Sequence, residues 1–264
     1  VIVGKTKLLG VVGDPIEHSL SPVMHNAALA EMQLDYVYLP FHVKSPNLER
    51  ALVGFTAIDL QGFNVTIPHK QTIMPLLAEV SETARVIGAV NTVWRTDPGW
   101  SGTNTDVIGF LAPLKALNRD WSQQTAVILG NGGAARAVVA GCFQLGYSSI
   151  RIVGRDAQKL EVFRESWRKS PLATRLEVHL QEDLVHLLPI ADLLVNTTPI
   201  GMYPQVDASP LSNELVSLIK PGAIAYDLIY TPRPTHFLKQ AQQQGAIILD
   251  GLEMLIQQGA AALE

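Results

Sequence analysis

The chain has 264 residues, 47% hydrophobic and 17% charged, an ordinary globular composition with apolar material for one large domain or two modest ones. A formal net charge of −4 leaves no basic field for nucleic acid or an anionic membrane, so an anionic ligand must be caught by local groups. The single cysteine, Cys142, excludes an internal disulfide and reads as core packing rather than a nucleophile, and no apolar run reaches membrane-spanning length.

From the N-terminus, strands are expected at 8–13, 36–42, 62–65 and 91–94, with helices at 22–31, 47–54 and 70–77 between them. Ser21 stands as N-cap before Pro22 at the first helical position, a strong start signal. The segment 107–117 reads as helix, and the polar stretch 118–124 follows it. A second series then begins, with strands at 125–129, 149–153, 193–196, 223–227 and 247–249. Its helices fall at 134–145, 157–167 and 235–244, and a last one at 252–263 could pack on either half. Strands alternating with helices argue a mostly parallel, doubly wound sheet, and the two series argue two α/β domains with a cleft between them.

The opening Val1-Ile-Val-Gly-Lys5 has no signal-peptide layout, so the cytoplasm is the expected location. It also lacks an initiator Met, and some terminal trimming is expected. The seven histidines never pair with Cys, Asp or Glu at a convincing ligand spacing, so no metal site is expected.

The segment Gly130, Asn131, Gly132, Gly133, Ala134, Ala135 follows an apolar strand and opens a helix. This is the G-x-G-x-x-A pattern of a Rossmann-type dinucleotide site in its strand–turn–helix setting. Gly130 permits the tight turn, Gly132 lets backbone approach a pyrophosphate, and Ala135 keeps helix close to strand. Free N–H groups at the helix start then face the phosphates. A bare glycine-rich turn is the blander alternative. The next strand ends in Gly154-Arg155, where an NAD site usually carries an acidic residue. A guanidinium there suits a 2′-phosphate, with Lys159 assisting, and therefore NADP. Asp156 either caps the following helix or binds ribose and admits NAD.

Three polar clusters in the first half are hard to explain as structure alone. Ser19 and Ser21 flank Leu20 at a strand-to-helix transition, where they could hold a carboxylate or a diol, although Ser21 alone would be a cap. Asn64, Thr66 and Lys70 end a buried-looking strand. Asn91 precedes Gly102-Thr-Asn-Thr-Asp106, and Asp106 alone would be a helix N-cap. A Lys and an Asp brought together would form an acid/base unit, but spacing cannot show that Lys70 and Asp106 meet.

Taken together, the chain resembles the shikimate dehydrogenase family. The resemblance rests on Ser19-Leu-Ser-Pro22, Asn64-Val-Thr-Ile-Pro-His-Lys70, Gly88-Ala-Val-Asn91-Thr, Asn104-Thr-Asp106 and Gly130-Asn-Gly-Gly133. Asn196-Thr-Thr-Pro-Ile-Gly-Met202, Asp227-Leu-Ile-Tyr230-Thr-Pro and Gly251-Leu-Glu-Met-Leu-Ile-Gln-Gln258 complete it, in the family's order over nearly the whole chain. It implies reversible NADPH-dependent reduction of 3-dehydroshikimate to shikimate, on the chorismate route to aromatic amino acids, by a monomer or homodimer. Ser19, Ser21 and Tyr230 would hold the substrate carboxylate. Asn64, Thr66, Asn91, Asp106 and Gln258 would hold the ring hydroxyls, with Lys70 and Asp106 the catalytic pair. The 196–202 loop with Thr197, together with Leu228 and Gly251, would line the nicotinamide end. The family also implies a substrate domain at 1–106, a cofactor domain at 107–250, and a terminal helix, 251–264, returning to the first.

The chain departs from the family pattern at Asn131, where Ala is more usual. Gly154 and Asp156 replace the usual Asn and Ser or Thr around Arg155, and the chain ends at Glu264, somewhat early, so a few residues are expected to be missing. A quinate/shikimate dehydrogenase using NAD is the nearest rival, followed by a non-catalytic NADP-binding paralogue and then an interaction protein. Both Lys70 and Asp106 being present argues against the paralogue, and an interaction protein would leave the convergent polar clusters unexplained.

Overall fold

A computed structural model describes residues 2–264. In chain order the elements are β1 (Lys7–Gly13), α1 (Ser21–Glu31), β2 (Tyr36–His42), α2 (Leu48–Ala57), β3 (Leu60–Val65), β4 (Glu79–Val80), α3 (Glu82–Ile87), β5 (Thr92–Thr96) and β6 (Gly99–Thr103). Then come α4 (Asp106–Lys115), β7 (Thr125–Leu129), α5 (Gly133–Leu145), β8 (Ser149–Gly154), α6 (Ala157–Ser166), β9 (Leu176–Leu180), α7 (Leu184–Leu187) and β10 (Leu193–Asn196). The chain finishes with α8 (Asn213–Val216), β11 (Ile224–Asp227), α9 (His236–Gln243), β12 (Ile247–Leu249) and α10 (Leu252–Leu263). It divides into two compact units: residues up to Asp106 together with Gln258–Glu264, and Val107–Gln257.

In the first unit the sheet order is β2-β1-β3-β5-β6-β4. The sheet is mixed rather than mostly parallel. β1 pairs in parallel with β2 and β3, whereas β5 runs antiparallel to both β3 and β6. The β5–β6 hairpin closes through Asp97-Pro98-Gly99, where Gly99 adopts φ +138°. Successive residues of β1 serve opposite faces, as a strand's two-residue period requires. Val12 joins Leu52, Phe55, Phe63 and Trp100 on one side. Val11 joins Ile16, Leu29 and Tyr38 on the other, where Leu263 also packs.

Two further expectations fail in this unit. The segment 70–77 forms turns and a single 3-10 turn at Met74–Leu76, because Pro75 lacks an N–H and its ring crowds the preceding turn, which disfavours an α-helix through so short a segment. Ser21 is already the first residue of α1. Leu20 holds the cap position with near-helical dihedrals (φ −85°, ψ −4°), and no side chain caps the helix.

The second unit's sheet, β12-β11-β10-β7-β8-β9, is parallel throughout. Strand order reverses at β7, which has β8 on one side and β10 on the other. Crevices at the carboxyl end of such a switch strand are where open α/β sheets take ligands. The core beneath is mostly aliphatic, with Val127, Leu129, Leu187, Leu194 and Leu238 buried around the aromatic Phe237.

Candidate active site

In the first unit the chemistry gathers at the ends of β3 and β5 and the start of α4. Lys70 follows the turn after β3, and the Val90 N–H donates to its carbonyl at 2.7 Å. The preceding His69 is fully buried and donates from Nε2 to the Val43 carbonyl at 2.6 Å, which pins that turn. The Lys70 ammonium reaches Asp106 Oδ2 at 2.5 Å, with the two side chains 15% and 5% exposed. Asp106 does not cap α4 with its carboxylate. Asn104 Oδ1 takes the Asp106 N–H instead, leaving both carboxylate oxygens to receive donors: Lys70 on Oδ2 and Asn91 Nδ2 on Oδ1 at 2.8 Å.

Asn91 is 2% exposed and joins most of the cluster. Its Nδ2 also lies 3.0 Å from Thr105 Oγ1 and 3.3 Å from Gln258 Oε1, while its Oδ1 accepts from the Thr105 N–H at 2.8 Å. The Gln258 carbonyl accepts from the Thr105 hydroxyl, so the last residues of α10 are bound into the same network. Asn64 enters through Thr92, to which its Nδ2 donates at 3.2 Å. Ser19, Ser21 and Thr66 stand outside this network. Ser19 Oγ accepts from the Ser21 N–H at 3.3 Å, and the hydroxyls of Ser21 and Thr66 have no protein partner among the described residues. They remain available to a ligand. Tyr38, Thr92 and Thr105 belong to the network although nothing singled them out in the sequence. A Tyr or Thr in a strand is ordinary sheet composition, and only neighbours distant in sequence give it a polar task.

In the second unit Gly130 ends β7 with φ +103°, and a Cβ there would lie 2.7 Å from Thr197 Oγ1. Only glycine fits. Thr197 donates through both its N–H and its hydroxyl to the Leu129 carbonyl, at 3.0 and 2.7 Å, and so fixes the end of β10 against β7. Gly132 caps α5 without any side-chain bond, and a Cβ on it would meet open space. The Arg136 N–H makes the first intrahelical bond, to the Gly132 carbonyl, so the amides of Gly133, Ala134 and Ala135 have none. That bare helix start, beside the open face of Gly132 and the half-buried Asn131, fits a pyrophosphate.

Arg155 is exposed at the end of β8, with no protein partner among the described residues. Asp156 Oδ1 accepts from the N–H groups of Gln158 and Lys159, at 3.0 and 3.1 Å, as the N-cap of α6. Lys159 Nζ stands 3.9 Å from Asp156 Oδ2, a loose surface pair. Leu228 and Gly251 touch closely: a Cβ on Gly251 would fall 2.1 Å from the Leu228 carbonyl oxygen. Tyr230 follows β11 and is half-buried. Between these loops lies a buried knot. Asp227 accepts from Asn196 Nδ2 at 3.1 Å, the Ile229 N–H at 3.1 Å and the Thr235 hydroxyl at 2.7 Å. Burial raises its carboxyl to about 6, outweighing those three bonds.

Among the described residues no cluster of metal-ligating side chains occurs, and no helix is long and apolar enough to cross a membrane.

A dinucleotide loop at the switch point of a parallel sheet, on a chain that also joins a buried lysine to a carboxylate, defines a nicotinamide-dependent oxidoreductase with an acid/base pair. Residues 11–93 match the family model for the shikimate dehydrogenase substrate binding domain. Over its whole length the chain is 65% identical to shikimate dehydrogenase (NADP(+)) from Trichormus variabilis, covering 92% of that protein. Among solved structures, shikimate dehydrogenase from Aquifex aeolicus aligns with a TM-score of 0.87 at 37% identity, over 100% of this chain and 93% of that one. A shikimate dehydrogenase in complex with NADP+ aligns equally well, with a TM-score of 0.87 at 38% identity over 99% and 90%. The chain belongs to the shikimate dehydrogenase family.

Proposed function

We propose that this chain catalyses the reversible, NADPH-dependent reduction of 3-dehydroshikimate to shikimate. The observation that carries the reading is the Lys70–Asp106 pair, 2.5 Å apart and anchored by Asn91, on a chain that matches an NADP(+) shikimate dehydrogenase from end to end.

When bound, NADPH supplies the hydride that reduces the ring ketone. The amides of Gly132, Gly133 and Ala134, with Gly130 and Asn131, hold its pyrophosphate. Arg155, assisted by Lys159, holds the 2′-phosphate, and Thr197, Leu228 and Gly251 border the nicotinamide. Ser19, Ser21 and Tyr230 take the substrate carboxylate, each offering a hydroxyl. Asn64, Thr66, Asn91, Asp106 and Gln258 orient the ring hydroxyls. Lys70 has three N–H donors and spends one on Asp106, which leaves donors for the ketone oxygen. It stabilises negative charge as that builds and delivers the proton that completes the alcohol. Asp106 receives donors on both oxygens and holds Lys70 in place, while Lys70 gives the proton.

The reaction takes a free small molecule and neither nucleic acid nor membrane, in keeping with a net charge of −4. The cytoplasm, and a monomer or homodimer, complete the proposal. The test is nicotinamide absorbance with 3-dehydroshikimate, comparing NADPH with NADH. Fast loss of NADPH alone is the expected result. Comparable turnover with NADH would overturn the role given to Arg155, and no turnover with either would overturn the reaction.

A further inference from the structure

Backbone groups of fixed polarity decide how the amides around Asp106 point. The Thr105 N–H can only donate, so the Asn91 atom 2.8 Å from it is Oδ1, and Nδ2 must face Asp106. The Asn91 carbonyl can only accept, so the Asn64 atom 3.2 Å from it is Nδ2. Asn64 Oδ1 then faces Tyr38, whose hydroxyl donates to it at 2.7 Å. Thr92 Oγ1 lies between the two amides, accepting from Asn64 Nδ2 at 3.2 Å and donating to Asn91 Oδ1 at 3.0 Å.

The bonds therefore run one way: from Tyr38 to Asn64, to Thr92, to Asn91 and onto Asp106 Oδ1. Lys70 closes the opposite oxygen. Tyr38 is itself immobilised. It is 3% exposed, and the ring of His25, 1% exposed, stacks on it at 4.3 Å and 10°. Burial raises the Tyr38 phenol well above its ordinary range, so it stays a donor. We propose that Tyr38 and Thr92 are positioning residues, which orient the Asp106 carboxylate, and through it Lys70, by this one-directional chain of hydrogen bonds.

The inference rests on the reaction proposed above, and a wild-type chain inactive on 3-dehydroshikimate would reject that reaction separately. Y38F keeps the ring and its stack but removes the first donor; T92V keeps the shape of Thr92 but removes a middle link. Each should lower kcat by about tenfold, the worth of one buried hydrogen bond, with the KM for NADPH unchanged. T92S, which restores the hydroxyl, should recover most of what T92V loses. Because both substitutions break one chain, Y38F/T92V should lose no more than the worse single variant, not the roughly hundredfold product expected of independent sites. The same cycle followed by urea unfolding reads the chain without turnover, and the two losses of stability should again fail to add. A Y38F enzyme with wild-type kcat would overturn the proposal, as would a T92S enzyme as slow as T92V, or additivity in both cycles.

Discussion

Asp106 is an acceptor steadied by one donor on each oxygen, whereas Lys70 is a donor with N–H groups to spare, and this distinguishes the two in what each substitution should do. K70A removes the proton donor and the charge facing the ketone oxygen, so kcat should fall by about 10²–10⁴-fold with a much smaller rise in substrate KM. An unchanged kcat under saturating substrate would refute the assignment. K70A also strands Asp106, whose side chain is 5% exposed, and should cost about 3 kcal/mol in urea unfolding because a buried charge loses its partner. Lys70 and Asp106 are each legible as polar residues at element ends, but 36 positions separate them, and only the family resemblance brought them together in advance. Tyr38 and Thr92 were not legible at all. Their hydroxyls acquire a task only when β2, β1, β3 and β5 align in register, and residue spacing carries no register across a crossover.

At the level of elements, the strands and helices expected in the second unit from Thr125 onward fall within a residue of their observed bounds, since strands buried on both faces appear as unbroken apolar runs such as Ala126-Val-Ile-Leu129, but the edge strand β9 and the short helices α7 and α8 were missed. The first unit was read less well. The strand expected at 91–94 is β5, but its hairpin partner β6, the short β4 and α3 were missed, although Asp97-Pro98-Gly99 is a turn signal and Ser81 and Gly88 bracket a short helix as cap and αL terminator. Asp156 presented a choice between cap and ribose ligand, and α6 shows the cap: one oxygen already serves two amides. D156A should therefore cost about 1 kcal/mol of stability, the usual worth of an N-cap, while leaving the preference between NADPH and NADH nearly as it was. R155A should behave oppositely, raising the KM for NADPH by at least tenfold with little change in thermal midpoint or in the KM for NADH, as loss of a charge-assisted contact to a 2′-phosphate requires. Paired KM measurements on the two variants check both.

Across the whole molecule, two buried titratable groups tie stability to pH with opposite signs. Burial lowers His25 from an ordinary 6.5 to about 4, so it contributes stability that is present above pH 6.5 and lost as pH falls through 4. Asp227 is raised from 3.8 to about 6, so its contribution is present below pH 3.8 and lost as pH rises through 6. Each is worth up to about 3 kcal/mol. His25 lies in the first unit and Asp227 in the second. Acidification from pH 6.5 to 4 should therefore weaken amide protection in β1 and α1 while strengthening it in β10 and β11. H25F should remove the first trend and D227N the second; a loss of equal size in both units, unaltered by either substitution, would contradict this account. The first unit is also discontinuous, taking Gln258–Glu264 from the far end of the chain. On the ribosome its strands emerge before the second unit, and the residue that meets Asn91 and the Leu263 that packs beside Val11 emerge after it. The network around Asp106 therefore cannot close until the whole of the second unit has been translated.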